Sequence, residues 1–365
     1  MKALSIFLAL IYSVAAFPAE LIVNISNAPE NGRLVFQLYD NANSFGDFRD
    51  PITETVLPAN GDGEYRLSDI EPGTFALLVY FDENENGLID KNFIGIPREL
   101  LALSNNYQPK GPPSFVRASV DLLANETKTL NLAMYRVLGN KGRWGIGIGV
   151  IGKSSPYVDS TQSASRVIPA VSYVGEKLQW FGPNLRYGIY GSGQFRLAVS
   201  ASYRIGSFEQ DDSPILAGLG DREDTLMGGL GAQYELPHGF DLHFNYEHDV
   251  LDRIGGGIAD FGVSRGFQYG VFRFKPSFSI NWISGKVNDY EFGVPESAAI
   301  STRPAYSPGS STSLELGVST FIEISEDWRV IFNISGERLG DEITTSPIVD
   351  DDTVISGFVG FTYIF

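Results

Sequence analysis

Between residues 82 and 99 the chain reads DENENGLIDKNFIGIPRE, a run dense in side-chain oxygens. Calcium is held by such oxygens. An EF-hand loop supplies them from alternate positions, with a glycine at its sharp turn and a final bidentate glutamate. Counted from Asp82, the carriers are Asp82, Asn84, Asn86, the Leu88 carbonyl and Asp90, with Gly87 at the turn. The place of the closing glutamate holds Phe93, which cannot ligate, and the run leaves an apolar strand rather than a helix. The loop is therefore not an EF-hand, although its first half could wrap a hard cation. Glu99, close by in GIPRE, is the candidate for the missing carboxylate. The affinity expected of such a site is that of an extracellular module, about 10⁻⁴–10⁻³ M. The competing reading is an Asx-rich turn whose side chains cap their own backbone.

Other chemistry is thinly supplied. There is no cysteine, which excludes disulfides and thiolate metal sites, and three histidines leave little for a histidine-based one. His243 shares a strand face with Asp241, Asn245 and Glu247, and Ser200 and Ser202 lie on an earlier strand. No motif brings a nucleophile and a base within hydrogen-bond reach. A histidine in a polar network is the expected role, and no catalytic residue is assigned. A net charge of −17 argues against a nucleic-acid partner.

Strands must position these groups. Gly (40), Phe (25) and Tyr (17) are plentiful, a mix that favours strands and tight turns. Residues 1–16 carry a lysine, an apolar run and small residues, the pattern of a signal peptide. Residues 20–136 hold short apolar runs such as GRLVFQLYD, GTFALLVYFD and TKTLNLAMY, separated by Gly, Pro, Asn and Asp. That spacing predicts an antiparallel β-sandwich. Residues 137–142 read as a linker.

From 143 to 365 the alternation is sustained. Phe240, Leu242, Phe244 and Tyr246 share one face, and Phe272, Phe274, Phe278, Ile280 and Trp282 another. The opposite faces carry charges of both signs, among them Arg196, Arg204, Glu235, Asp241, Glu247, Asp260, Arg273, Lys275, Glu315, Glu323, Arg329 and Glu337. An arginine or lysine facing lipid at mid-membrane would cost about 2–4 kcal/mol, so the charged face belongs inside. The pattern predicts a transmembrane antiparallel β-barrel with aromatics at its rims. Short turns alternate with long polar loops near 206–223, 285–310 and 340–350. Splitting KLQWFGPNLRYGIYG at Gly182-Pro183-Asn184 gives twelve strands; ten is the alternative. Interior charges are expected to pair across a narrow lumen.

Two resemblances follow. The order D-x-N-x-N-G, G-I-P-x-E, S-N-N and G-P-P-S-F over residues 20–136 resembles an uncharacterised secreted bacterial β-sandwich family. The segments SPY (155–157), LAGLGD (216–221), YEFGV (290–294), RPAYSPG (303–309), LGDEITTSPIV (339–349) and the FTYIF end resemble the MltA-interacting protein (MipA/OmpV) family. The second resemblance implies a Gram-negative outer-membrane barrel that contacts membrane lipid. It further implies an envelope scaffold or docking platform for periplasmic, peptidoglycan-processing proteins. The sandwich is not part of that family pattern; joined before the first spanning strand, it is expected to hang in the periplasm as a soluble arm. A narrow channel for small solutes is the alternative, and a lipid-modifying enzyme a third.

Overall fold

The computed structural model describes residues 18–160 and 164–365, so the expected signal peptide over 1–16 lies outside the described residues. Strands with two-residue alternation need a sheet whose faces differ, and the N-terminal segment supplies two such sheets. One contains β1 (Ala19–Ser26), β4 (Gly63–Ile70) and β8 (Thr127–Ala133), with β1 central. The other runs β3 (Thr53–Pro58), β2 (Arg33–Tyr39), β5 (Gly73–Asp82), β6 (Leu100–Leu103), β9 (Tyr135–Arg136), with β7 (Ser119–Leu122) also on β5. Leu21, Val23 and Ile25 of β1 meet Leu34, Phe36, Leu77 and Val79 between the sheets. This is the expected sandwich, with one difference. β1 and β8 run parallel, which a long crossover allows: every strand of the second sheet except β9 lies between them in sequence.

β2 and β5 are buried on both faces. Val35, Tyr39, Leu78 and Tyr80 form a second core with Phe45, Ile89, Leu101 and Leu103. That second core turns toward the rest of the chain.

The barrel strands are β10 (Arg143–Lys153), β11 (Ala164–Val174), β12 (Leu178–Phe181), β13 (Asn184–Ser192), β14 (Phe195–Arg204), β15 (Thr225–Glu235) and β16 (Phe240–Asp249). They continue with β17 (Gly257–Arg265), β18 (Phe267–Tyr269), β19 (Phe272–Ile283), β20 (Ser311–Glu323), β21 (Trp328–Arg338) and β22 (Thr353–Ile364). β18 is a short arm on β19. The other twelve close into an antiparallel ring through β10–β22 and β17–β19. The break at Gly182 and Pro183 falls between β12 and β13, as the sequence predicts.

Alternation turns outward here. In β10, Ile146, Ile148 and Val150 are 52%, 59% and 43% exposed, a lipid-facing stripe, while the alternate Gly145, Gly147 and Gly149 lie inside. A side chain at Gly147 would stand 1.9 Å from the Phe361 carbonyl oxygen, so only glycine lets β10 and β22 approach. Aromatics mark the short-turn rim: Trp144 packs on Tyr173 and Trp180, and Trp328 stacks on Phe361 at 4.6 Å. The chain end joins this belt, the Phe365 N–H donating to the Trp144 carbonyl at 2.9 Å.

The long loops fold over the other mouth. Tyr157, Phe208, Leu216, Val287, Phe292, Val294, Ile343 and Ile348 form one apolar cluster there. The Tyr157 hydroxyl donates to the Glu291 carbonyl, Ser346 donates to that of Phe292, and Arg204 pairs with Glu291 at 2.5 Å. The segments SPY, LAGLGD, YEFGV, RPAYSPG and LGDEITTSPIV thus meet in a single cap.

Candidate functional site

The oxygen-rich loop leaves β5 and turns into the barrel. Asp82 is 1% exposed and pairs with Arg33 at 3.1 Å. Its two carboxylate oxygens also accept the N–H groups of Asn86 and Gly87, at 3.1 and 2.9 Å. Gly87, at φ +74°, sits in the left-handed region that the turn requires. The Asn84 side chain accepts from the Asn86 N–H, and that of Asn86 accepts from the Leu88 N–H at 2.7 Å. Both amides donate to Asp90, at 2.9 and 3.0 Å. Glu99 is buried and accepts the N–H groups of Glu83 and Asp90, each at 3.0 Å. Burial pushes the Glu99 carboxyl up to about 7, against the lowering effect of those two backbone donors.

The structure therefore brings Asp82, Asn84, Asn86, Leu88, Asp90 and Glu99 into one loop, as the sequence expects. The side-chain oxygens of Asp82, Asn84, Asn86, Asp90 and Glu99 accept from backbone N–H groups, from the two asparagine amides and from Arg33, which is Asx-turn geometry. Among the described residues, no group of three or more His, Asp or Glu side chains is arranged to hold a metal. In this arrangement the loop's side-chain oxygens are engaged by protein donors.

The loop makes contact with the barrel instead. Asp90 accepts the Gly193 N–H at 2.8 Å, and Asn86 donates to Ser192, fastening the loop to the β13–β14 turn. The next three residues enter the mouth. Lys91 is 4% exposed and reaches Glu235 of β15 at 3.0 Å. Burial lowers its pKa, and the Glu235 carboxylate opposes that shift. Asn92 donates to the Gly175 carbonyl at 3.2 Å. Phe93, the residue that spoils the EF-hand, is 3% exposed, with the Arg186 guanidinium 5.7 Å from its ring centre.

More ion pairs surround this insertion. Arg49 joins Glu235 at 3.1 Å and Asp241 at 2.5 Å. Arg196 reaches Glu235 at 3.0 Å, and Lys275 reaches Asp241 at 3.0 Å. Arg273 pairs with Asp47, Arg117 with Glu323, Arg98 with Glu176 and Lys110 with Asp327. Two expectations are corrected here. The interior charges near this end pair largely with the sandwich rather than across the lumen. The sandwich does not hang from the barrel; it is docked in its short-turn mouth. Asp47, Arg49, Lys91 and Asn92 carry that docking, and no local pattern marks them, because their partners lie as far as 226 residues away.

Inside the barrel, His243 meets Asp260 at 3.1 Å and Ser279 at 3.4 Å. Both approach the same nitrogen, Nε2. A catalytic relay needs the acid and the nucleophile on opposite ring nitrogens, so this is a polar network. Ser200 and Ser202 donate instead to Glu247, at 2.8 and 2.6 Å.

The family described as "MltA-interacting protein MipA" matches residues 146–365, and "Uncharacterized protein conserved in bacteria (DUF2141)" matches 23–131. The MltA-interacting protein of Escherichia coli (strain K12) is 29% identical over 229 residues, covering 62% of this chain and 91% of that one. Outer membrane protein OmpV of Vibrio cholerae is 27% identical over 242 residues, covering 65% and 92%. Among solved structures, the NanC porin overlies 59% of this chain and 98% of its own, with a TM-score of 0.33 and 11% identity.

Proposed function

The chain belongs to the MltA-interacting protein MipA family and is an outer-membrane β-barrel protein; from that premise we propose that it is an envelope scaffold whose periplasmic face is the docked sandwich. One observation carries this reading. The sandwich is clamped in the short-turn mouth by buried ion pairs centred on Glu235, so it offers a rigid platform rather than a tethered arm. The E. coli relative is named for an interaction with MltA. By analogy, the partner class here is a periplasmic protein that processes peptidoglycan. The test is affinity capture from envelope extract with the full-length protein, compared with a variant carrying charge reversals on the exposed Glu64 and Arg66 strand. Enrichment of one envelope protein that the variant loses supports the scaffold. Equal recovery by both, or none, removes it.

A second reading is favoured by a polar chamber of about 520 Å³ inside the barrel, lined by His243, Asp260, Asn281, Glu315 and Glu337. A narrow solute channel would use this chamber once the sandwich moved aside. Planar-bilayer recording separates the two. The intact protein is expected to be silent, and steady conductance at rest would favour the channel.

A further inference from the structure

The junction encloses a cavity of about 470 Å³ that the scaffold reading does not use. Its sandwich side is built by Gly95-Ile96-Pro97 and Gly111-Pro112-Pro113, two of the motifs by which the sequence resembles its family, and by Tyr135 and Val137. Its barrel side is shared by ten strands, β11, β12, β21 and β22 among them. The walls are mainly apolar, and the carboxylates that line them, Asp47, Glu235 and Asp241, are each already paired with an arginine or a lysine. Among the described residues, neither Arg143 nor Arg329 has a carboxylate within ion-pair distance. Arg143 donates only to the carbonyls of Pro109 and Val137, at 3.2 and 2.6 Å.

Arg329 is the sharper case. It is 3% exposed, its Nε has no partner, and its Nη2 reaches only the Glu326 carbonyl at 3.5 Å. Its register partner on β22, Thr362, is 5% exposed with its hydroxyl unpartnered, and the buried Tyr135 hydroxyl is unpartnered too. Buried donors are normally satisfied, and leaving one unmet is costly. Three of them on one apolar-walled space make a site for an anionic acceptor with a hydrocarbon body.

We propose that the cavity binds an amphipathic monoanion, a carboxylate or phosphate head on an alkyl chain. The head is held by Arg329, Thr362 and Tyr135, and the chain lies along Val137, Val174 and Ile331. The wall provides a route from the membrane. β11 pairs with β10 along its full length but with the four-residue β12 only over Ser172, Tyr173 and Val174. Phe181, at the tip of that short hairpin, lines the cavity and is 37% exposed.

Native mass spectrometry of the full chain in neutral maltoside detergent tests this with dodecanoate, dodecyl phosphate and methyl dodecanoate. The expected result is a one-to-one adduct with either or both anions and none with the ester; which anion binds identifies the head group. Arg329→Met should weaken the adduct by about tenfold or more. Gly111→Val fills the space from the sandwich side, its new carbon meeting Phe321 at 3.0 Å and Arg329 at 3.3 Å, and should abolish binding while leaving the barrel strands unchanged. Heat-modifiable gel mobility confirms that each variant folds. Equal adducts with the ester, full competition by inorganic phosphate alone, or no adduct with either anion would each overturn the proposal.

Discussion

At the scale of single residues, Glu99 and Glu235 show how a buried carboxylate serves the fold. Glu99 has its pKa raised from an ordinary 4.5 to about 7. Between those values the folded chain holds a proton that the unfolded chain has released. Its contribution to stability is therefore full below 4.5 and is lost as pH rises through about 7. Glu99→Gln should flatten the fall in melting temperature between pH 5 and pH 8, a slope worth at most about 3 kcal/mol. An unchanged slope would refute the assignment. Calcium would compete with Arg33 and the backbone donors for the same loop oxygens, so no shift in melting is expected between millimolar calcium and chelator. A rise of several degrees would instead assign the loop a metal. Glu235 is shared by Arg49, Lys91 and Arg196. Removing it leaves buried Lys91 and Arg196 with no carboxylate and Arg49 with Asp241 alone, whereas Lys91→Met leaves the carboxylate with two partners. Glu235→Gln should therefore cost about 3–5 kcal/mol, and Lys91→Met clearly less, in denaturant midpoints or in proteolysis at the junction. Equal losses would show that the three cations do not converge.

At the scale of elements, the barrel strands owe their placement to alternation alone. On β20, Leu316 is 67% exposed and lies near mid-strand, while Glu315 beside it faces the lumen and meets Asn281 at 3.2 Å. Leu316→Arg should lower folding stability by about 2–4 kcal/mol, read as a lower urea midpoint in lipid vesicles. A neutral outcome would mean that this face is not in lipid. The twelve strands were legible because each carries its own two-residue pattern, and Gly182-Pro183-Asn184 announces the break between β12 and β13. The oxygen-rich run was legible as a turn for the same local reason. Its service as a joint was not, because Phe93 and Lys91 acquire meaning only against Gly231, Arg186 and Glu235 of distant strands.

For the whole molecule, the consequence is a barrel covered at both mouths, by a loop cap at one and by the sandwich at the other. With no native cysteine, orientation can be read from single introduced thiols. Val116→Cys, on the sandwich at 75% exposure, should react with a membrane-impermeant maleimide only after the outer membrane is permeabilised. Ile300→Cys, in a long loop at 54% exposure, should react in intact cells. Labelling in the reverse pattern would invert the topology.

The sequence by itself determined the two folds, their order and the lipid-facing stripe, and narrowed the barrel to twelve or ten strands, because period, turn residues and local composition are short-range properties of the chain. The tertiary structure alone decided that the sandwich closes the barrel, that the scattered family segments meet in one cap, and that Arg329, Thr362 and Tyr135 surround a single cavity. Those facts depend on pairings such as Lys91 with Glu235, 144 residues apart, whose electrostatics exist only once two separately folded surfaces exclude water from between them.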